Sequence, residues 1–120
     1  MTLLVQMSWA LLAIIHALPA MALFRPALLS QMYGVEAGGT PLLLLHHRAA
    51  LFLGVFVLCA WSVFAAAPRP AAAVMTAISM LTFLLLYWQS GNPPALRTIA
   101  TADIIGIVPL LVVGWAAFRP

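Results

Sequence analysis

The longest apolar stretch of the chain is LLLLHHRAALFLGVFVLCAWSVFAAA at residues 42–67, a run of 26 residues in which Arg48 is the one charged residue. An α-helix rises about 1.5 Å per residue, so about 20 residues cross a hydrocarbon core about 30 Å thick. A single charge in so long an apolar run is typical of a membrane span. We therefore predict that residues 42–67 form a transmembrane helix.

Three further apolar runs flank this one, at residues 3–24, 71–89 and 95–118. None of the four runs shows the alternation of polar and apolar residues that membrane strands require, so helices are predicted for all of them. The connections at 68–70 and 90–94 are short enough to join only adjacent, antiparallel helix ends. We predict an all-α fold, a transmembrane four-helix antiparallel bundle, with residues 1–120 as a single integral membrane domain.

The composition excludes several other classes of protein. Hydrophobic residues make up 66% of the chain and charged residues 6%, whereas about a quarter of the residues in soluble domains are charged. The positive charge consists of five scattered arginines, so no basic run could follow a phosphate backbone and no nucleic acid is expected as a partner. Cys59 is the only cysteine, which excludes an intramolecular disulfide.

Two features concern the first run and the segment after it. No positively charged residue precedes Leu3, so we interpret this run as an uncleaved helix rather than a signal peptide. In residues 26–33, large side chains recur at helical spacing, which predicts a short interfacial helix between helices one and two. These side chains are Leu28, Leu29, Met32 and Tyr33, and the helix breakers Gly34, Gly38, Gly39 and Pro41 follow them.

The strongly polar residues collect near one membrane face. In an antiparallel bundle, the end of helix one, the start of helix two, the end of helix three and the start of helix four meet at the same face. The residues found there are His16, His46, His47, Arg48, Tyr87, Gln89, Asn92, Arg97, Thr101 and Asp103. At about 1.5 Å per residue, His16 and Asp103 lie about 12 Å and Arg48 about 9 Å inside that face, which permits pairing.

Asp103 is predicted to turn inward, because an ionised side chain in the hydrocarbon costs about 2.5 to 3.5 kcal/mol. Arg48 is its predicted partner, since a guanidinium holds a carboxylate with two hydrogen bonds, and His16 could share the contact. Arg97 points about 120° away from Asp103 on the same helix. The inward face of helix four then includes Gly106, a small residue that allows helices to approach closely.

Each of these residues also has a purely structural interpretation. The Arg48–Asp103 pair is as consistent with fixing the register of the bundle as with a working site. His46 and His47 point about 100° apart on a helix, so one of them is expected to lie idle at the interface. His16 has the alternative of bonding a backbone carbonyl freed by the nearby proline. The tryptophans, Trp9, Trp61, Trp88 and Trp115, are expected to be interfacial anchors.

Several motifs resemble those of a known group of membrane proteins. They are Met32-Tyr33-Gly34-Val35, the run HHRAALFLG at residues 46–54, Asn92, Leu96-Arg97 and Ala102-Asp103. Together they are similar to small bacterial four-helix integral membrane proteins that are DoxX-like in outline. The resemblance implies a link to quinone-dependent membrane oxidoreduction. Neither a Cys-x-x-Cys pair nor a glycine-rich phosphate loop is present to supply a redox centre of the chain's own.

The first function we predict is binding of a small lipophilic ligand, such as a quinone or an isoprenoid, in a one-sided polar intramembrane pocket. Whether the ligand is also transformed, which would make the protein an enzyme, stays open. Arg48 and His47 would be donors, and Asp103 an orienting acceptor or a general base. The further ligand-binding residues would be His16, His46, Tyr87, Gln89, Asn92 and Thr101.

Two alternatives belong to other classes of function. The chain could be a non-catalytic accessory or assembly subunit of a larger membrane complex, or associate as a homo-oligomer. A b-type haem between His16 and His46 or His47 ranks below both functions, because two of the three histidines are neighbours.

The arginines also predict an orientation. Arg69 and Arg119 lie on the side of the termini, and Arg25, Arg48 and Arg97 on the other side. If protein contacts hold Arg48 and Arg97, the side of the termini carries the greater positive charge and faces the cytoplasm. We predict an integral protein of the bacterial inner membrane with both termini cytoplasmic.

Overall fold

The computed structural model of the protein describes residues 2–33 and 39–119. Five α-helices and one 3₁₀ turn make up this part of the chain, without a strand. The α-helices are α1 (Thr2–Met21), α2 (Ala27–Tyr33), α3 (Thr40–Phe64), α4 (Arg69–Gln89) and α5 (Arg97–Phe118), and the 3₁₀ turn is Pro94–Leu96. Of the predicted helix breakers, Gly34 and Gly38 lie outside the described residues.

The all-α antiparallel bundle predicted from the sequence is confirmed. Helices α1, α3 and α4, and α5 together with its preceding turn, are each long and apolar enough to cross a membrane, so this is an integral membrane protein. The short interfacial helix is confirmed as α2. Helix α1 ends at Met21, earlier than predicted, because Leu23 and Phe24 close tight turns onto Ala20 and Met21. Pro26 then disfavours helical geometry at the residue before it.

The end of α4 shows how local sequence stops a helix. Gly91 and Asn92 have positive φ angles of 83° and 55°. The Asn92 N–H bonds the Tyr87 carbonyl over 3.1 Å, and the Gly91 N–H bonds the Trp88 carbonyl over 3.1 Å. This is the Schellman arrangement, which satisfies the last carbonyls of a helix. Asn92 therefore has a backbone role in ending α4.

The helices do not pack equally around the bundle. Contact is most extensive between α1 and α3, followed by α4 with α5 and α1 with α5, and is sparser between α3 and α4. Helices α3 and α4 are adjacent in sequence and joined by a short turn. Beyond this turn the two helices diverge from each other. Their divergence leaves an opening on the side of the bundle that faces lipid.

The apolar core lies in the half of the bundle that holds the termini. It packs Val5 and Trp9 of α1 against residues of α3, α4 and α5, among them Cys59, Met80 and Val113. Trp9 is 0% exposed, so its predicted role as an interfacial anchor is wrong. Its Nε1 is a buried donor that has no hydrogen-bond partner among the described residues. The other three tryptophans are more than half exposed, as anchors would be.

Gly106 marks the closest approach of α5 to its neighbours. A Cβ atom added there would lie 2.6 Å from Met80 Cε and 2.9 Å from Ile15 Cδ1. Asp103 and Gly106 are both buried, which confirms the predicted inward face of α5. A side chain at this position would have to displace the ends of the Met80 and Ile15 side chains.

Candidate functional site

Arg48 is the centre of the polar end of the bundle. It lies eight residues after the start of α3, about 12 Å inside the helix end. Its Nη1 donates a hydrogen bond to Tyr33 Oη over 3.4 Å. The guanidinium carbon lies 4.7 Å from the centre of the Phe52 ring, 5.7 Å from that of Tyr33 and 5.9 Å from that of Phe83. Rings of α2, α3 and α4 thus surround the cation at distances where cation–π attraction is significant.

Asp103 approaches this cation from α5. Its side chain is 9% exposed, and Arg48 is close enough for its charge to act on the carboxylate. A direct ion pair, which the sequence predicts, is not formed: within the described part of the chain, no nitrogen of Arg48 lies within 4.0 Å of an Asp103 oxygen. Arg48 and Asp103 therefore share a cluster without a salt bridge.

Tyr33 completes this cluster from outside the membrane-spanning helices. Burial raises the pKa of its phenol; the charge of Arg48 lowers that pKa, and the charge of Asp103 raises it. Because the net shift is upward, the hydroxyl keeps its proton at neutral pH and remains both a donor and an acceptor. Sequence reasoning did not include Tyr33 in the site, although its place on the amphipathic helix α2 was a signal. We call Tyr33, Arg48 and Asp103 the polar triad.

His16 belongs to the wall beside the triad. Its side chain is buried, and its ring centre lies 6.0 Å from that of Phe52. Nδ1 lies 2.8 Å from the Leu12 carbonyl oxygen, and because a carbonyl only accepts, Nδ1 carries the proton. His16 thus bonds a backbone carbonyl, but not the one that the structural alternative predicted: Pro19 frees the carbonyl of Ile15, whereas His16 bonds that of Leu12.

The two adjacent histidines have different surroundings. His46 Nε2 lies 2.8 Å from the Leu23 carbonyl oxygen and donates to it, which ties the start of α3 to the turn after α1. His47 is exposed. The structure therefore separates His47 from the triad with which the sequence placed it.

The remaining predicted ligand-binding residues lie at the edge of the site or outside it. Tyr87 is half-buried and stacks on Phe83 with ring centres 6.0 Å apart. Thr101 is exposed and donates to the Arg97 carbonyl over 2.9 Å, a bond within its own helix. Gln89 and Asn92 are exposed as well. Of these four residues, Tyr87 alone contacts a side chain that also faces Arg48.

An apolar groove begins at Arg48 and runs between α3 and α4. This α3–α4 groove has a volume of about 770 Å³. Its polar lining consists of Arg48, Ser79 and Thr82, and its other lining residues are Leu51, Phe52, Gly54, Val55, Leu58, Met75, Ile78, Phe83 and Leu86. From Arg48 to Leu58 the groove extends about 15 Å, roughly half the thickness of a hydrocarbon core. The sequence did not predict this groove.

Gly54 gives the groove part of its width. A Cβ atom added at Gly54 would meet no other atom within 4 Å. The glycine is therefore not required for packing between helices, in contrast to Gly106. A large side chain at this position would extend into the groove without displacing protein atoms.

The polar groups at the opposite end of the bundle have structural partners. Arg69 Nε donates to the Ser62 carbonyl over 2.8 Å and so satisfies the last turn of α3. Cys59 Sγ and Thr76 Oγ1 lie 3.4 Å apart and join α3 to α4. These contacts fix the turn from which α3 and α4 diverge.

Comparisons with known proteins give no relationship: no family model matches the chain, and no curated protein or solved structure matches it significantly.

Proposed function

We propose that the protein binds a small lipophilic molecule, such as a quinone or an isoprenoid, in the α3–α4 groove with its polar head at Arg48. One observation carries this proposal: a half-buried guanidinium lies at the end of an apolar groove that opens sideways from the bundle. The apolar walls accept a hydrocarbon tail, and the guanidinium supplies hydrogen-bond donors for a head group.

The dimensions of the groove support this proposal. Its volume of about 770 Å³ is within the range of about 300 to 1,000 Å³ that is usual for small-molecule sites. Its length of about 15 Å corresponds to one leaflet of a bilayer. A ligand dissolved in that leaflet would enter from the side without crossing water. The resemblance to DoxX-like proteins favours a quinone among the lipophilic molecules.

The polar triad would hold the head group in place. Arg48 donates to it, Tyr33 positions Arg48 from α2, and Asp103, which does not line the groove, would orient Arg48 rather than contact the head group. His47 has no part in this proposal because its side chain is exposed outside the groove.

Gly54→Leu tests whether the groove is the binding site. Native mass spectrometry of the detergent-solubilised protein would be titrated with a short-tailed quinone and with farnesol. We expect one adduct per chain, and at least a tenfold loss of affinity in Gly54→Leu. Leucine favours a helix more than glycine does, so the variant should fold.

Gly114→Leu is the matched control. A Cβ at Gly114 also meets no atom within 4 Å, but this residue is on α5 and does not line the groove. Equal affinity of the wild-type protein and Gly54→Leu for both probes would contradict the proposal. Absence of binding by either probe would favour the accessory-subunit function instead.

We also propose that the protein lies in the bacterial inner membrane, in line with the resemblance, with both termini in the cytoplasm, which its arginine distribution favours. Thr2→Cys and Pro120→Cys, each made with Cys59→Ser, should react with a membrane-impermeant maleimide only after the cytoplasmic side is opened. Opposite labelling of the two positions would contradict an even number of membrane spans.

A further inference from the structure

Resting on the proposed function, we infer that the head group bound at Arg48 is anionic: a carboxylate or phosphate at the end of an apolar chain. The inference depends on three observations of the described residues: the guanidinium donors that they leave unsatisfied, the rings around it and the absence of an acid among the groove-lining residues that the structure describes.

The guanidinium offers more donors than its described surroundings use. It carries five N–H groups in a planar fork, and all of them are donors. Among residues 2–33 and 39–119, the hydrogen bond to Tyr33 is the one recorded for it, and at 3.4 Å this bond is longer than the usual 2.7 to 3.2 Å. Within these residues, most of its donor capacity is not used by the protein.

The aromatic rings around Arg48 do not occupy its N–H donors. Phe52 and Phe83 attract the cation through their π-electrons, but they contain no oxygen or nitrogen that could accept its N–H groups. A carboxylate or phosphate can accept two parallel hydrogen bonds from the guanidinium fork. The carbonyl of a quinone presents a single oxygen and brings no negative charge.

Among the described residues that line the groove, Arg48 is the one that carries a charge, and this charge is positive. Beside Arg48, the polar groups that face the groove are the hydroxyls of Ser79 and Thr82. Asp103 does not line the groove and forms no direct ion pair with Arg48. An anionic head that enters the groove therefore meets the guanidinium without meeting a carboxylate in the lining.

The test compares ligand pairs that share a tail and differ in the head group, which is anionic in one member and neutral in the other. Oleate would be measured against oleyl alcohol, and farnesyl phosphate against farnesol, by competition in native mass spectrometry of the wild-type protein. We expect the anionic member of each pair to bind at least tenfold more tightly. In Arg48→Gln this preference should fall below threefold, because the anionic member loses more affinity than the neutral member, and Arg48→Lys should retain part of the preference.

The outcomes separate the two proposals. Equal binding of charged and neutral members by the wild-type protein, with both weakened by Gly54→Leu, would overturn the anionic head and leave the groove intact. Binding that Gly54→Leu does not change would overturn the groove itself. A third arm uses phosphatidylglycerol: if it binds more tightly than oleate and depends on Arg48, the anionic head is supported and its source is a bilayer lipid. The wild-type comparison needs no variant, so misfolding of Arg48→Gln would not obscure the result.

Discussion

Arg48 Nη1 and Tyr33 Oη are joined by a hydrogen bond of 3.4 Å, which links the interfacial helix α2 to the membrane-spanning helix α3. The bond places a helix outside the spans in direct contact with the cation at the head of the groove. We therefore expect a change in α2 to alter the position of the guanidinium.

Tyr33→Phe should weaken this link at every pH. It removes the hydroxyl and keeps the ring, so we expect a loss of about 0.5 to 1.5 kcal/mol in the free energy of unfolding, measured in mixed detergent micelles. We also expect weaker binding of groove ligands. Unchanged stability and binding would show that the contact does not position Arg48.

The titration of Tyr33 gives a prediction about alkaline pH. Its folded-state pKa is raised above the ordinary value of 10.0 by burial, so its contribution to stability is complete below pH 10. This contribution is lost as the pH rises from 10 through the folded-state pKa. Ultraviolet absorbance should show a phenolate that forms above pH 10, and Tyr33→Phe should remove that component. Its persistence in the variant would contradict the assignment.

A double-mutant cycle should measure the coupling between Arg48 and Asp103. Because they interact without a direct salt bridge, we expect Arg48→Gln and Asp103→Asn to be coupled by about 1 kcal/mol, below the 3 to 5 kcal/mol typical of breaking a buried pair. Arg97→Gln with Asp103→Asn is the control pair. It should be additive within about 0.5 kcal/mol, since Arg97 is exposed. Equal coupling energies in the two pairs would mean that the cycle does not report a specific interaction between Arg48 and Asp103.

Trp9 should dominate the stability of the core. Trp9→Ala is expected to cost about 3 to 5 kcal/mol because the side chain is fully buried. Trp9→Phe should cost much less, since it keeps an aromatic ring and removes a buried N–H that has no partner in the described chain. Trp61→Ala, at a position 55% exposed, is the control. Unfolding of both variants would be monitored by circular dichroism. Equal stability of Trp9→Ala and Trp61→Ala would contradict the observed packing of Trp9 in the core.

Gly106 and Gly114 should respond differently to the same substitution. Gly106→Leu forces a side chain against Met80 and Ile15 and should cost about 1 to 3 kcal/mol or more. Gly114→Leu has open space around its Cβ and should leave Tm nearly unchanged. Gly106→Ala should have an intermediate effect, because the flexible end of Met80 can move. If Gly106→Leu were as stable as the wild-type protein, α5 would not be packed closely against Met80 and Ile15 at Gly106.

Much of the architecture could be predicted from local sequence. The apolar runs predicted all four spans, and the bounds differ from those observed by no more than three residues. This success has a physical reason: in a bilayer every backbone group must be satisfied within its own segment, so an apolar run of sufficient length becomes a helix. The inward position of Asp103 was predictable on the same basis, from the cost of exposing a charge to lipid.

The residues that belong to the site were predicted less well than the helices. Arg48 and Asp103 do lie near each other, but His47 and Gln89 are exposed. Both residues lie at the predicted distance along their helices, because that distance follows from residue number. Whether a side chain faces inward depends on the rotation of its helix, and neighbouring helices set that rotation.

The groove was decided by tertiary structure alone. The short connection at residues 68–70 predicts that α3 and α4 are neighbours, and they are, but it does not predict how far they diverge. That divergence follows from the packing of α3 on α1 and of α4 on α5, whose complementary surfaces belong to residues distant in sequence. The sequence by itself determined four spans and a polar end, through the chemistry of single residues in lipid. The direction in which this polar end opens was determined by packing between helices.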